Sequence, residues 1–288
     1  MPKTQNIRRF SAGFLILIGL VLFCLYAFSE SLQVVQYTVE SEKLSAPVKI
    51  VLLTDLHSCY YGEKQKDLIR EIHKAEPDII CLGGDIFDDV TPHQGSIDLL
   101  DGIADVYPCY YITGNHEHWS EEVNVLNGLM ASYGVTTLAG DAALCTTMAG
   151  QTVLISGIDD PTGFHEMGTY GTPGKDSWYG QLAMAEESAA RSPYFTILLS
   201  HRPEKTDAYT DSPFDLVLAG HAHGGQVRLP FLPNGLFAPN QGYLPSYTGG
   251  KYVLGSTDMI VSRGLCKNDL PRIFNRPELA VIDLIPKT

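Results

Sequence analysis

The sequence predicts an α/β protein, a parallel sheet with helices packed on its faces, led by an N-terminal transmembrane helix. Three observations carry that expectation. A β-rich apolar run that ends in a short polar block recurs three times between residues 48 and 117, alternating with segments of helical spacing. The rest of the chain holds five more β-rich runs and one helical segment. Ahead of everything, Lys3, Arg8 and Arg9 precede an almost uninterrupted apolar run from Phe10 to Phe28.

That apolar run is just long enough to cross a thin bilayer as a helix. Its basic flank places the N-terminus in the cytoplasm and the bulk of the chain outside, as a single-pass protein of the cell membrane. The expected organisation is a basic stub (1–9), a membrane anchor (10–28), a spacer that also reads as an edge strand (29–46), and one large domain (47–288). A cleaved signal peptide is the competing reading, with Ala27-Phe28-Ser29 as the cleavage site. Arg8-Arg9 could belong to a twin-arginine signal, but Ser11 and Ala12 follow where larger apolar residues are usual.

Residues 48–54 read as the first strand of the domain and end in Asp55-Leu56-His57-Ser58. Residues 66–75 place Leu68, Ile69, Ile72 and Ala75 at helical spacing, and the segment stops before Pro77. A second strand over 78–82 delivers Gly83-Gly84-Asp85-Ile86-Phe87-Asp88-Asp89. A helix over about 96–104 follows, then a third strand over 106–113 ending in Gly114-Asn115-His116-Glu117. Further strands are expected over 151–158, 194–200, 214–219, 252–261 and 279–284, with a helix over about 179–191. Two stretches, 163–175 and 229–250, read as long loops, which in a compact domain tend to bind or cover ligands.

Composition narrows the partners. A formal charge of −13, with no compensating basic stripe, argues against a nucleic-acid backbone. Six cysteines are scattered without CxxC or CxxH spacing, so neither a zinc knuckle nor a disulfide framework is readable. Cys59, close behind the first polar block, reads as a packed, uncoordinated thiol.

Parallel sheets flanked by helices carry their sites at the carboxyl ends of the strands, and the polar blocks all stand at such ends. In order they are Asp55-x-His57, Gly84-Asp85-x-x-Asp88, Gly114-Asn115-His116-Glu117, Ser200-His201 and Gly220-His221-x-His223. In the last, residues two apart on an extended chain face the same side, so both imidazoles can be presented to one place, as metal ligands would be. Singly, Asp55, Asp88 or Asn115 could merely cap a following helix. Capping gives no reason for five histidines at neighbouring strand ends.

Taken together, the five blocks resemble the signature of the calcineurin-like metallophosphoesterases, over nearly all of the chain after the apolar run. Gly224-Gly225-Gln226, the stretch Val261-Ser262-Arg263-Gly264-Leu265 and Phe274-Asn275-Arg276-Pro277-Glu278 resemble the bacterial, membrane-associated branch. The resemblance implies a four-layer α/β/β/α sandwich and two divalent cations. Asp55, His57, Asp85 and His223 would hold one; Asp85, Asn115, His201 and His221 would hold the other, with Asp85 shared. Carboxylate, imidazole and amide oxygen without thiolate suit Mn²⁺, Fe or Zn²⁺. A hydroxide between the cations would attack phosphorus in line. His116 would stabilise or protonate the departing oxygen, fixed by a hydrogen bond to the Asp88 carboxylate. His118, Arg202 and Arg228 lie near the blocks as candidate substrate contacts.

One absence bears on the substrate. The protein Ser/Thr phosphatase branch carries an arginine just after the second aspartate of its Gly-Asp block, whereas Asp89 and Val90 stand here. A phosphodiester or pyrophosphate is therefore expected over a phosphoprotein. A short tether to a bilayer would favour a lipid-linked or envelope substrate, and Leu229, Phe231, Leu232, Leu236 and Phe237 could brush a membrane or pack in the core. The alternatives are a phosphomonoesterase and a metal-binding scaffold without turnover.

Overall fold

A computed structural model of the protein describes residues 2–229, 234–267 and 270–287, with side chains from residue 13 onward. Two six-stranded sheets form its centre. The first runs in the order Gln33–Ser41, Glu278–Pro286, Val48–Leu53, Ile79–Gly83, Cys109–Ile112, Thr136–Thr137. It is parallel except where Glu278–Pro286 meets Val48–Leu53. The second runs Gly250–Leu254, Thr257–Val261, Leu216–Ala219, Phe195–Leu199, Thr152–Gly157, Ala142–Thr146, parallel in its middle and antiparallel at both edges.

The strands are continuous apolar runs because both faces of each sheet are covered. In Val48–Leu53, Ile50 and Leu52 point to the other sheet and pack in one cluster with Ile155, Ile197 and Leu218. Their neighbours Val51 and Leu53 face the opposite way, onto Leu68 and Ile72 of the helix Lys66–Ala75 and Leu99 and Ile103 of the helix Gln94–Ile103. On the far side of the second sheet, Leu198, Val217 and Met259 pack under Trp178, Leu182 and Ala185 of the helix Trp178–Ala190. The layers are therefore helix, sheet, sheet, helix.

Two segments differ from the sequence expectation in form. The run over 252–261 is a hairpin of Gly250–Leu254 and Thr257–Val261, turning at Gly255 with φ +65°. The block after the third strand opens a short helix, Asn115–Trp119, with a further helix at Val123–Ser132. Phe231 and Leu232 lie outside the described residues, while Leu229, Leu236 and Phe237 are part-exposed.

The membrane-spanning helix expected over 10–28 is not found: among the described residues, no helix is long and apolar enough to cross a membrane. The physical reason lies at both ends of the helix Pro2–Ala27. Its first two turns are polar and basic, and Ser11 interrupts the apolar run. Residues 12–27 alone, at 1.5 Å each, reach only about 24 Å against a hydrocarbon core of about 30 Å. The carboxyl end belongs to the domain. Ala27 is buried and its carbonyl accepts the Phe274 N–H at 2.7 Å, while Phe23 and Tyr26 contact the Phe274 ring with centroids at 5.5 and 5.8 Å.

Candidate active site

The polar blocks meet where the parallel strands of both sheets end. Asp55, His57, Asp85 and Asn115 follow strands of the first sheet; His201, His221 and His223 follow strands of the second. Backbone hydrogen bonds lock the blocks together. Asp55 N–H donates to Gly84 O at 3.0 Å and His57 N–H to Asp85 O at 2.9 Å. The Asp85 carboxylate takes the His116 N–H, and the Asp55 carboxylate takes the His221 N–H, each at 2.9 Å. This tight interlacing costs conformational strain: Asp55, His57, Asp85, His221 and His223 all have φ between +46° and +64°. Left-handed backbone at non-glycine residues costs of order 1 kcal/mol each and gathers where function requires it.

Two glycines make the approach possible. A Cβ on Gly114 would stand 2.2 Å from Asp85 Oδ1, and one on Gly220 would stand 2.7 Å from Asp55 Oδ2. Sequence reasoning passed over the residue that joins two of the loops, Glu117. Fully buried, it accepts the backbone N–H groups of Asp85, Ile86, Phe87 and Gly114 at 2.7 to 3.0 Å. Burial and the nearby Asp85 carboxylate push Glu117 up to about 7, against the pull of those amides.

The seven candidate ligands are all buried, none more than 9% exposed. Asp85 Oδ2 stands at the middle, 3.1 Å from His201 Nε2 and 3.7 Å from His57 Nε2. Asp55 Oδ1 is 3.9 Å from the Nε2 atoms of both His201 and His223. Six of the seven carry a buried side-chain nitrogen or oxygen with no hydrogen-bond partner: Asp55 Oδ2, His57 Nε2, Asn115 Oδ1, His201 Nε2, His221 Nδ1 and His223 Nδ1. Buried polar atoms are almost always satisfied, so a cluster of orphaned ones fits divalent cations, which would displace the protons of His57 and His201. The opposite ring nitrogens are engaged. His57 Nδ1 pairs with Asp88 at 3.0 Å, His201 Nδ1 with Gly83 O at 2.8 Å, and His221 Nε2 with Asn240 Oδ1 at 2.8 Å. Such contacts aim the other nitrogen at a metal.

The electrostatics divide the histidines. Burial disfavours charge on all of them, but for His57 the Asp88 hydrogen bond and the Asp85 and Asp55 carboxylates outweigh it and push it up to about 9. Asp85 and Asp55 likewise overcome burial at His201, which rises to about 10. Burial prevails at His221, lowered to about 4 with help from His201 and Arg202. It prevails also at His223, lowered to about 3. Against their own burial, the surrounding imidazoles hold Asp55 and Asp85 below the usual carboxylate range.

His116 sits beside this set, its ring centroid 4.2 Å from that of His57. Its Nδ1 is 3.3 Å from Asp88 Oδ1 and 2.6 Å from Asp89 Oδ1. Asp88 thus spans His57 and His116, and Asp89 is the nearer partner of His116. The three candidate substrate contacts are engaged in the fold. Arg202, 6% exposed, donates to both Asp160 oxygens at 2.5 and 2.8 Å and to Thr162 Oγ1, and it also contacts Asn240 Oδ1. Arg228 donates to Gly224 O and Thr248 Oγ1. His118 Nε2 pairs with Thr113 Oγ1 at 2.9 Å.

Known proteins place this arrangement. The sequence profile described as calcineurin-like phosphoesterase matches residues 48–225. The chain is 33% identical over 242 residues to the metallophosphoesterase YkuE of Bacillus subtilis, spanning 82% of this chain and 78% of that protein. It is 30% identical over 247 residues to the phosphodiesterase YaeI of Escherichia coli, spanning 84% and 83%. A metallophosphoesterase of Campylobacter jejuni, Cj0846, is 29% identical over 292 residues, spanning 98% and 72%. The five strand-end blocks that meet around Asp85 all fall inside the matched span, and the chain belongs to the calcineurin-like phosphoesterase family, hydrolases of phosphoric esters.

Proposed function

We propose that the protein is a dinuclear metal-dependent phosphodiesterase. The observation that carries this reading is the cluster of six buried nitrogen and oxygen atoms without hydrogen-bond partners at this site. Asp55, His57, Asp85 and His223 would hold one divalent cation, and Asp85, Asn115, His201 and His221 the second. Two cations there supply an activated water and neutralise charge on the phosphoryl group. The protein's own part is to hold the donors rigidly and to manage the leaving oxygen. His116, with Nδ1 tied to Asp88 and Asp89, has Nε2 left to donate a proton to that oxygen.

Asp89 favours a diester over a monoester. A carboxylate 2.6 Å from His116 places negative charge at the mouth, which repels a dianionic monoester more than a monoanionic diester. Arg202, whose guanidinium lies against the Asp160 carboxylate, is a strut of the site and not a clamp for phosphate. The relative YaeI, a phosphodiesterase by name, agrees. A lipid-linked or envelope substrate calls for a membrane tether, and among the described residues no helix is long and apolar enough to cross a membrane.

The test is turnover of a bis-aryl against a mono-aryl phosphate by metal-reconstituted protein. Diester hydrolysis with about two bound ions per chain is expected, lost on chelation. His116→Ala should drop kcat by about 10²–10⁴ while metal content stays at the wild-type value. Faster hydrolysis of the monoester would overturn the diester assignment, and no turnover with any divalent ion would leave a scaffold.

A further inference from the structure

The donor set read from the strand ends contains no sulfur, yet the fold brings one to it. Cys266 Sγ, a ring nitrogen of His57 and a ring nitrogen of His223 lie within 4.8 Å of one another. All three residues are buried, with Cys266 3% exposed. The segment carrying Cys266 is pressed onto this half of the site. Leu265 N–H donates to Thr54 O at 3.0 Å, and a Cβ on Gly264 would stand 2.7 Å from Asp55 Oδ2. Each of the two imidazoles carries a buried nitrogen without a hydrogen-bond partner, His57 Nε2 and His223 Nδ1. Arg272 adds a buried positive charge whose Nε and Nη2 have no hydrogen-bond partner among the described residues, with Cys266, Tyr61 and Asp55 its main favourable charge neighbours. A divalent cation held by these nitrogens would itself deprotonate a thiol at this distance, giving the thiolate that binds metal.

We propose that Cys266 Sγ is a ligand of the cation held by Asp55, His57, Asp85 and His223. The inference rests on the dinuclear reading above and deepens it, because it selects the metal. A thiolate among carboxylates and imidazoles turns this half of the site toward Zn²⁺, Fe²⁺ or Co²⁺ and away from Mn²⁺. The other half, with Asn115, His201 and His221, stays oxygen- and nitrogen-only. The two positions then differ in chemical softness, with the sulfur on the side nearer His116. Cys59, whose sulfur accepts from the Cys266 thiol in the metal-free chain and also receives the Lys267 N–H at 3.4 Å, orients the ligand sulfur without binding the ion.

The test uses reduced, metal-free full-length protein titrated with Co²⁺. Wild type should bind two ions and show a near-ultraviolet sulfur-to-cobalt charge-transfer band besides the visible cobalt bands. The charge-transfer band should persist in Cys59→Ser and vanish in Cys266→Ser, with Zn²⁺ affinity in the latter falling about ten- to a hundredfold. X-ray absorption of Zn²⁺-loaded wild type gives a measurement free of any variant, and should contain a sulfur shell at about 2.3 Å. Bound cobalt without the band, a band surviving Cys266→Ser, or a zinc shell of only oxygen and nitrogen would overturn the assignment while leaving the dinuclear reading intact. A wild type that binds no Co²⁺ at all would overturn both.

Discussion

Single residues in the site are held by contacts that make their chemistry testable. Glu117 is the clearest, since its two oxygens accept four backbone N–H groups from the Gly84-Asp85 and Gly114-Asn115 loops. Glu117→Gln replaces an acceptor oxygen with an amide that faces donors. We expect a loss of about 1–3 kcal/mol in stability and a drop in bound metal, read by thermal melting and metal analysis; unchanged metal content would mean the loops hold themselves. His57 and His201 give the pH dependence. Their metal-free values of about 9 and about 10 leave both protonated at neutral pH, while a cation needs each Nε2 lone pair free. Loading must therefore release protons, and apparent affinity should rise as pH climbs toward 9, by up to about tenfold per unit for each proton displaced. Calorimetry in buffers of different ionisation enthalpy counts those protons, and a heat independent of buffer would contradict the arrangement. No comparable rise is expected from His221 and His223, already neutral at pH 7.

At the scale of elements, the site is a property of strand ends, and that is why it could be read from the chain. An apolar run that stops in Gly-Asp or Gly-His announces both a buried strand and a polar turn, so all seven candidate ligands were visible with their order. Other parts had no local signature. Glu117 reads as the close of a motif, and only the turn into Asn115–Trp119 shows it reaching back across 32 residues to Asp85. Cys59 and Cys266 stand 207 positions apart, and nothing in composition says that their sulfurs meet. The apolar N-terminal run was legible as a helix, but its span was not, because the docking of Ala27 against Phe274 is a tertiary contact. The same logic gives a prediction about the turns themselves. In Gly114→Ala the new Cβ would stand 2.2 Å from Asp85 Oδ1 and 2.5 Å from its backbone nitrogen. Backbone cannot yield as a flexible side chain can, so the two loops must separate, at a cost of about 1–3 kcal/mol. Circular dichroism should show both sheets intact while bound metal falls below two per chain. Full metal occupancy in this variant would show that the close approach is not needed.

Across the whole molecule, the two sheets share an extensive apolar interface built from residues such as Ile50, Leu52, Ile197 and Leu218, yet at the site edge their contacts are of a different kind. There the first sheet presents Asp55, His57, Asp85 and Asn115, the second presents His201, His221 and His223, and each face carries lone pairs that the other cannot satisfy. Buried carboxylates of like charge repel, and the protons on His57 and His201 help to offset them in the metal-free chain. Under the dinuclear reading, each cation takes ligands from both sheets, so the ions act as a clamp across the sandwich as well as reagents. A ligand that binds only the folded state at a concentration of about a thousand times its Kd adds about 4 kcal/mol of stability. For a domain of this size, each kcal/mol shifts Tm by about 2–4 °C. Chelation should therefore lower Tm by about 8–16 °C, and adding back Zn²⁺ should restore it. The variant His201→Ala, which removes a ligand from the second sheet alone, should respond to chelator by less than half of the wild-type shift. An equal shift in that variant would mean that the sheets are held together without help from ions, and that the orphaned lone pairs at their edge serve chemistry only.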